Sequence, residues 1–265
     1  MSHVVALCPT YRRRRLVNNA IALFFRQTWS EPMTMLVFDD GENALLNFLY
    51  HENKTVMVIP FTERFPTLGA KYNSLVDYAC DKLRADYLFI WEDDDIYLPD
   101  HIEKYMKCFQ AGAQWVKPSL IYTYFGGRLE KVDPHFSFFA SIAFTKSVRD
   151  QTDPVYFIED HVVQFDIDFM HKLSRKYGSP HDPIEDGEPT YVFRWDTTEA
   201  YHGQGFMHLG DRWYEAVPYA TQPEPAMPNR PVLDEDSIRV LRLTREQRNE
   251  DSFGCLSGKE NKVQT

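Results

Sequence analysis

The chain has 265 residues, 43% of them hydrophobic and 26% charged, which is enough to bury a full core and ordinary for a soluble globular protein. A net charge of -10 argues against a large nucleic-acid footprint, although Arg12-Arg13-Arg14-Arg15 is locally basic. No apolar run approaches the roughly 18–20 residues of a membrane span, and the four scattered cysteines form no CxxC pair.

Free thiols, no span and a strand at the very N-terminus in place of a signal peptide give the expectation of a soluble protein of a reducing cytoplasm. The first strand is predicted over His3 to Cys8, ended by Pro9-Thr10-Tyr11. After the four arginines, Leu16, Ala20, Leu23, Phe24 and Gln27 mark a helix by their spacing of three and four. A second strand, Met33 to Phe38, ends in Asp39-Asp40-Gly41; a short helical stretch is expected next, then a third strand from Lys54 to Pro60. Leu68 to Leu83 reads as an amphipathic helix, with Leu75, Val76, Ala79 and Leu83 on its apolar side.

The fourth strand carries the most informative stretch. Tyr87-Leu88-Phe89-Ile90-Trp91 is an apolar run suited to a strand buried on both faces, and it passes directly into Glu92-Asp93-Asp94-Asp95. Four adjacent acids repel one another, and the usual compensation is a hard divalent cation such as Mg²⁺ or Mn²⁺. The plainer alternative is an acidic loop with a helix-capping Asp, but capping needs one acid and not four. Pro99 then precedes a helix expected over Asp100 to Ala111. Strand and helix alternate four times, so the class is α/β with a mostly parallel sheet, and acids gather at strand ends where such sheets bind ligands.

Beyond residue 112 the pattern changes. Ser119 to Phe125 and Arg128 to Val132 flank Gly126-Gly127, a hairpin signal. Phe136 to Thr145 reads as extended, Asp160 to Tyr177 as a helix closed by Gly178, residues 179–189 as a loop, and Tyr191 to Trp195 as a strand. The division is an α/β half over 1–112, a second half of the same domain over 113–220, and a Pro-rich, charged extension over 221–265, its last residues expected to be disordered.

Six blocks resemble inverting family-2 glycosyltransferases of the GT-A fold. They are Cys8-Pro9-Thr10-Tyr11-Arg12; Gln27-Thr28-Trp29; Val37-Phe38-Asp39-Asp40-Gly41; Leu68-Gly69-Ala70-Lys71-Tyr72-Asn73; the acidic run through Pro99; and Gln164-Phe165-Asp166-Ile167-Asp168-Phe169. They keep the order and spacing of that family over residues 3 to 178.

The resemblance implies a GT-A fold, a mostly parallel central sheet flanked by helices with a small antiparallel acceptor-side part. It implies transfer of a sugar from a nucleotide donor, with a UDP-sugar first, and Mn²⁺ or Mg²⁺ as cofactor. Counting back from Pro99, Asp94 falls on the family's metal ligand, Asp95 on a second possible ligand and Asp93 near the ribose; the family often has Asp where Glu92 stands. Asp40 matches the acceptor for the uracil N3 proton, Thr10, Tyr11 and Arg12 the nucleotide pocket, and Lys71 a phosphate contact. His202 matches a late histidine that completes the metal or diphosphate site. The general base matches Asp166, with Asp168 and then Asp160 as fallbacks.

The acceptor is a hydroxyl of a glycan or small molecule, with Tyr122, Tyr124, Phe125, Phe136, Phe138, Phe139, Trp195 and Trp213 as aromatic surface for stacking. Two alternatives stand beside this reading. One is transfer to a hydroxymethylated base of viral DNA, which the arginine run permits; the other is a nucleotide-sugar-binding module without turnover.

Overall fold

The computed structural model of the chain describes residues 2–41, 47–125, 128–135, 137–150, 152–159, 165–194, 206–209 and 212–215. β1 (Val4–Thr10) is followed by α1 (Arg14–Phe25), β2 (Met33–Asp39), β3 (Asn47–His51), β4 (Lys54–Pro60), α2 (Leu68–Asp81) and β5 (Tyr87–Ile90). Then come β6 (Ile96–Tyr97), α3 (His101–Gln110), β7 (Trp115–Val116), β8 (Ile121–Phe125), β9 (Arg128–Val132), β10 (Ala143–Thr145), α4 (Phe165–Tyr177) and β11 (Tyr191–Arg194), and a last antiparallel pair, β12 (Phe206–Leu209) and β13 (Arg212–Glu215).

β1 is central. β2 and β5 pair with it in parallel on either side, and every one of its residues is buried, as an uninterrupted apolar strand requires. The 7-stranded sheet runs in the order β3-β4-β2-β1-β5-β10-β7, parallel except at β3 and β10. A 4-stranded sheet, β6-β11-β8-β9, stands beside it. The expected halves are therefore interleaved: β10, from the second, lies beside β5 of the first, and β6, from the first, pairs with β11 of the second.

Several expectations needed correction. β1 does not stop at Cys8 but continues through Pro9 and Thr10; β5 pairs only as far as Leu7, so the missing Pro9 N–H falls beyond that ladder. Of the short helical stretch expected between Gly41 and Lys54, residues 42–46 lie outside the described residues and residues 47–51 form β3, whose backbone partners come from β4 across a turn with Glu52 at φ 53. The stretch from 136 to 145 is not continuously extended; a 3₁₀ turn, Phe139–Ser141, precedes β10. The helix expected from Asp160 is described from Phe165 onward and ends before Gly178, whose φ of 80 suits glycine after a helix. Residues 160–164, 201–205 and 216–265 lie outside the described residues, so the C-terminal extension does too.

The helix α3 shows how a motif block serves the fold. Asp100 makes no side-chain cap. Instead Gln27, 2% exposed, reaches across from beyond α1: its Oε1 accepts from Ile102 N at 3.1 Å and its Nε2 donates to the Leu98 carbonyl at 2.9 Å. A first-turn N–H that the helix cannot satisfy is thus paired from another part of the chain.

α2 is capped conventionally, with the Thr67 hydroxyl accepting from Ala70 N at 3.1 Å. Its buried side holds Tyr72, Leu75, Val76 and Ala79 against the sheet. On its other flank, Asn73 accepts from Phe157 N at 2.9 Å and donates to Phe157 O at 3.1 Å and Glu159 Oε1 at 2.7 Å. Arg149 adds a bond from Nε to Asp77 at 2.6 Å and another to the Val155 carbonyl. These contacts bring the chain leading to α4 against α2. Among the described residues, no helix is long and apolar enough to cross a membrane, and Cys8, Cys80 and Cys108 are free.

Gly69 permits the approach: a Cβ built there would lie 2.3 Å from the Ile158 carbonyl oxygen. Gly69→Ala is expected to force these segments apart at a cost of about 1–3 kcal/mol. The check is urea unfolding, which should show a lower midpoint at unchanged slope; an unchanged midpoint would contradict the close approach.

Candidate active site

Three parallel strands end side by side, and each delivers a polar group to the same edge. Thr10 closes β1, Asp40 follows β2, and Asp93 lies three residues beyond β5. The Thr10 hydroxyl donates to Asp93 Oδ2 at 2.6 Å. Lys71, on the first turn of α2, donates to Asp40 Oδ1 and to the Thr10 carbonyl, both at 2.6 Å. Asp40 Oδ2 takes the Phe65 N–H at 2.9 Å. Lys71 and Asp40 are 4% and 7% exposed, so this is a buried ion pair with its remaining bonds satisfied. Burial lowers the Lys71 ammonium pKa, and Asp40 opposes that shift. The bonds of Lys71 join the ends of β1 and β2. Gly41 lets the loop after β2 close on the loop after β1, since a Cβ there would lie 2.9 Å from Arg12 N.

The acidic run is bent into a turn by its aromatic neighbours. The Trp91 and Tyr97 rings stack at 3.9 Å, and the Tyr97 hydroxyl accepts the Glu92 N–H at 2.8 Å while donating to the Ala140 carbonyl at 3.2 Å. The turn sorts the four acids. Asp93 faces β1, bonded to Thr10 and to Arg13 Nη1 at 3.0 Å; the same nitrogen reaches Asp94 Oδ2 at 3.1 Å. Glu92, Asp94 and Asp95 turn together, each offering a carboxylate oxygen within 4.8 Å of the others. Tyr72 donates to Glu92 at 3.3 Å, and Tyr191 to Asp95 at 2.5 Å.

The electrostatics follow from burial and crowding. Asp93, Asp94 and Asp95 are 2%, 3% and 2% exposed. Burial, then the charge of Asp94, pushes Asp95 up to about 8. The same causes raise Asp93 to about 6, against the pull of Arg13 and Thr10. Burial, then Asp94, Asp95 and Asp93, hold Glu92 well above the usual carboxylate range, and Asp166 on α4 adds to that field. Arg13 pairs with Asp93 and Asp94, and the charge of Arg194 acts weakly against the rise at Asp95. Clustered oxygen donors short of positive charge are the donor set a hard divalent cation takes, so Glu92, Asp94 and Asp95 fit the implied metal.

The other expected residues are placed as follows. Tyr11 is half-buried, with the Arg64 and Arg12 guanidinium groups 4.2 Å and 5.2 Å from its ring centre. Asp166 is half-buried in the first turn of α4. Asp168 pairs with Lys172 one turn on at 2.8 Å. Asp160 and His202 lie outside the described residues. Of the aromatic residues expected to stack an acceptor, Tyr124 and Phe139 are buried, and Phe138 packs on Phe193. Tyr122 donates to Glu188 at 2.6 Å. Arg13, Tyr191 and Arg194 were not anticipated: one arginine in a run of four has no distinguishing signal, and β11 meets the acids only through tertiary pairing.

Residues 6–174 match the family model described as glycosyl transferase family 2. No curated protein sequence matches the chain significantly. Among solved structures, S. aureus TarS 1–349 in complex with UDP superposes with a TM-score of 0.57 at 13% identity, covering 73% of this chain and 60% of that one. The same protein in complex with UDP-GlcNAc gives 0.59 at 13%, covering 76% and 60%. The mannosyltransferase PcManGT from Pyrobaculum calidifontis, in complex with GDP-Man and Mn²⁺, gives 0.50 at 12%, covering 76% and 58%. The chain thus spans about three fifths of the length of these relatives. With a family match over most of the chain, a GT-A sheet and an acidic turn at its strand ends, this protein belongs to glycosyltransferase family 2.

Proposed function

We propose that the chain is a metal-dependent inverting glycosyltransferase that moves a sugar from a UDP-sugar to a hydroxyl of a glycan or small molecule. The observation that carries this reading is the trio Glu92, Asp94 and Asp95, half-buried at Glu92 and buried at the two aspartates, set at the strand ends and close enough to Asp166 of α4 to feel its charge. Complexes of similar folds with UDP, UDP-GlcNAc and GDP-Man support a nucleotide-sugar donor, and one with Mn²⁺ supports the cation.

In this reading Thr10, Tyr11, Arg12 and Asp40 line the nucleotide pocket, with Lys71 fixing Asp40 and the end of β1. Asp93, anchored by Thr10 and Arg13, faces the ribose. Glu92, Asp94 and Asp95 would hold Mn²⁺ or Mg²⁺, with His202 as a further candidate; a bound cation neutralises charge on the departing diphosphate. In the displacement, the acceptor oxygen bonds to the anomeric carbon as the bond from that carbon to the phosphate oxygen breaks. The electron pair leaves on the diphosphate, and the hydroxyl proton passes to Asp166. Attack of the acceptor oxygen from the face opposite the leaving group inverts the anomeric centre, and the base on that face takes the hydroxyl proton.

The charge balance predicts a pH dependence. An Asp ionises near 3.8 when unfolded, whereas Asp95 keeps its proton up to about 8 in the fold. The folded state therefore binds more protons, and the stability contributed by protonated Asp95 is lost as pH rises through that window. His101, held down to about 3 by burial, acts oppositely, but only below its ordinary 6.5. Lys117, lowered to about 8 by burial, enters above that. With chelator present, the thermal midpoint should fall between pH 6.5 and 8, and excess Mn²⁺ should flatten the fall by replacing protons at the acids. Equal slopes with chelator and with Mn²⁺ would remove the cation from the reading.

Calorimetry with UDP tests the same site from the ligand side. Mn²⁺ should tighten UDP binding at least about tenfold, a factor of roughly 1.4 kcal/mol, and Asp94→Ala should abolish most of that gain. An affinity indifferent to both would make the trio a structural feature.

The base assignment is tested by Asp166→Asn, expected to lower turnover by about 10²–10⁴-fold, the usual worth of a general base. UDP-sugar affinity should hold, since the loss is confined to the transition state. Asp168→Asn should be milder, its carboxylate being paired with Lys172. If Asp160→Asn alone abolishes turnover, the base is Asp160; if none of the three does, the base is another group, and a parent chain that binds UDP-sugar without any turnover is a binding module.

A further inference from the structure

We infer that β11 is the second wall of the acidic centre, and that Tyr191 is a positioning residue holding Asp95 in place as a cation ligand. This rests on the cation reading above and goes beyond the residues that the family blocks point to.

The argument starts from what the four acids do when left alone, which is to spread apart. Asp95 is prevented from doing so at both oxygens. The Tyr191 hydroxyl donates to Oδ2 at 2.5 Å, and the Arg194 N–H donates to Oδ1 at 3.1 Å. The next acid is held from the same strand, by Arg194 Nε donating to the Asp94 carbonyl at 2.5 Å. Three bonds thus run from one short strand to two consecutive acids.

The strand can impose a position because its own is determined. β11 pairs antiparallel with β6, Tyr191 opposite Tyr97, and in parallel with β8. Tyr191 is 1% exposed, and its ring lies 5.4 Å from that of Tyr97. Tyr97 in turn stacks on Trp91 and accepts the Glu92 N–H. Phenylalanine would fill the same space, so packing explains the ring and Asp95 alone accounts for the hydroxyl. A carboxylate has about four lone-pair sites, and two donors leave capacity for a cation.

The contrast with Asp93 sharpens the assignment. Asp93 is bonded to Thr10 and Arg13 at the end of β1 and stands outside the trio of converging oxygens. Thr10 on β1 and Arg13 just before α1 draw one acid toward the end of β1, and donors on β11 keep another beside Glu92 and Asp94. Groups that orient metal ligands typically change affinity by 10–100-fold when removed.

The test is Mn²⁺ binding to the full chain without nucleotide, read from the free-ion resonance in electron paramagnetic resonance, alongside the thermal midpoint in chelator. Tyr191→Phe should weaken Mn²⁺ binding about tenfold or more, and should have no further effect when combined with Asp95→Asn. A purely structural hydroxyl would lower the chelated midpoint and leave Mn²⁺ affinity at the parent value, which would overturn the inference. An equal loss with and without Asp95→Asn would also overturn it, since Tyr191 would then not act through Asp95. Should Tyr191→Phe fail to fold, Arg194→Gln, which removes the guanidinium from the Asp94 carbonyl, carries the same expectation of weakened Mn²⁺ binding. A parent protein that binds no Mn²⁺ overturns the cation reading and this inference together, whereas a parent that binds it equally with both variants overturns the inference alone.

Discussion

The mutual repulsion of Glu92, Asp93, Asp94 and Asp95 governs the architecture around them. Four carboxylates in sequence at a nearly dry strand end are stable only if their neighbours separate them, donate to them or neutralise them. The fold does all three. Stacking of Trp91 on Tyr97 bends the run, Thr10 and Arg13 take Asp93 aside, and Tyr72, Tyr191 and Arg194 supply donors to the remainder. Burial, and after it the charges of the neighbouring acids, raise the pKa values of Asp95 and Glu92 above the usual carboxylate range.

That containment is what ties the two sheets together. The parallel sheet ends at β5, and six residues later the chain is already β6, an edge of the smaller sheet. β6 is only Ile96–Tyr97, too short to be held by its own ladder, so its place depends on β11 and on the aromatic contacts of Tyr97. The acids sit in the seam between the sheets. Displacing either sheet displaces the acids, so the two sheets are built as one body around them.

α2 performs the corresponding task at the ends of β1 and β2. Its first turn sends Lys71 to Asp40 and the Thr10 carbonyl, while Gly69 and Asn73 hold the segment that leads into α4. One helix thereby ties the strand end that carries Asp40 to the chain that leads into the helix carrying Asp166. A buried ammonium bonded to a carboxylate and a carbonyl is costly to disturb, because loss of either partner strands a charge in the core.

Much of this was legible in the sequence. Apolar runs of period-free strand character, separated by helices of three-and-four spacing, determine a parallel α/β sheet, because both signals arise from local geometry and burial. The acidic run and Asp40 were legible as lying at strand ends because such sheets gather polar groups there, whereas Asp166, on a helix, was singled out only through the family resemblance. The sequence did not reveal β3, since Asn47–His51 is a strand only by virtue of the β4 edge it pairs with. It did not reveal that Tyr124 and Phe139 belong to the core, since aromatic residues look alike whether they face a ligand or a neighbour. Nor did it distinguish Arg13 from Arg12, Arg14 and Arg15, or link Tyr191 to Asp95 nearly a hundred positions earlier. Those assignments are decided by long-range pairing, which brings β1, β5 and β11 to one edge and leaves no trace in local spacing.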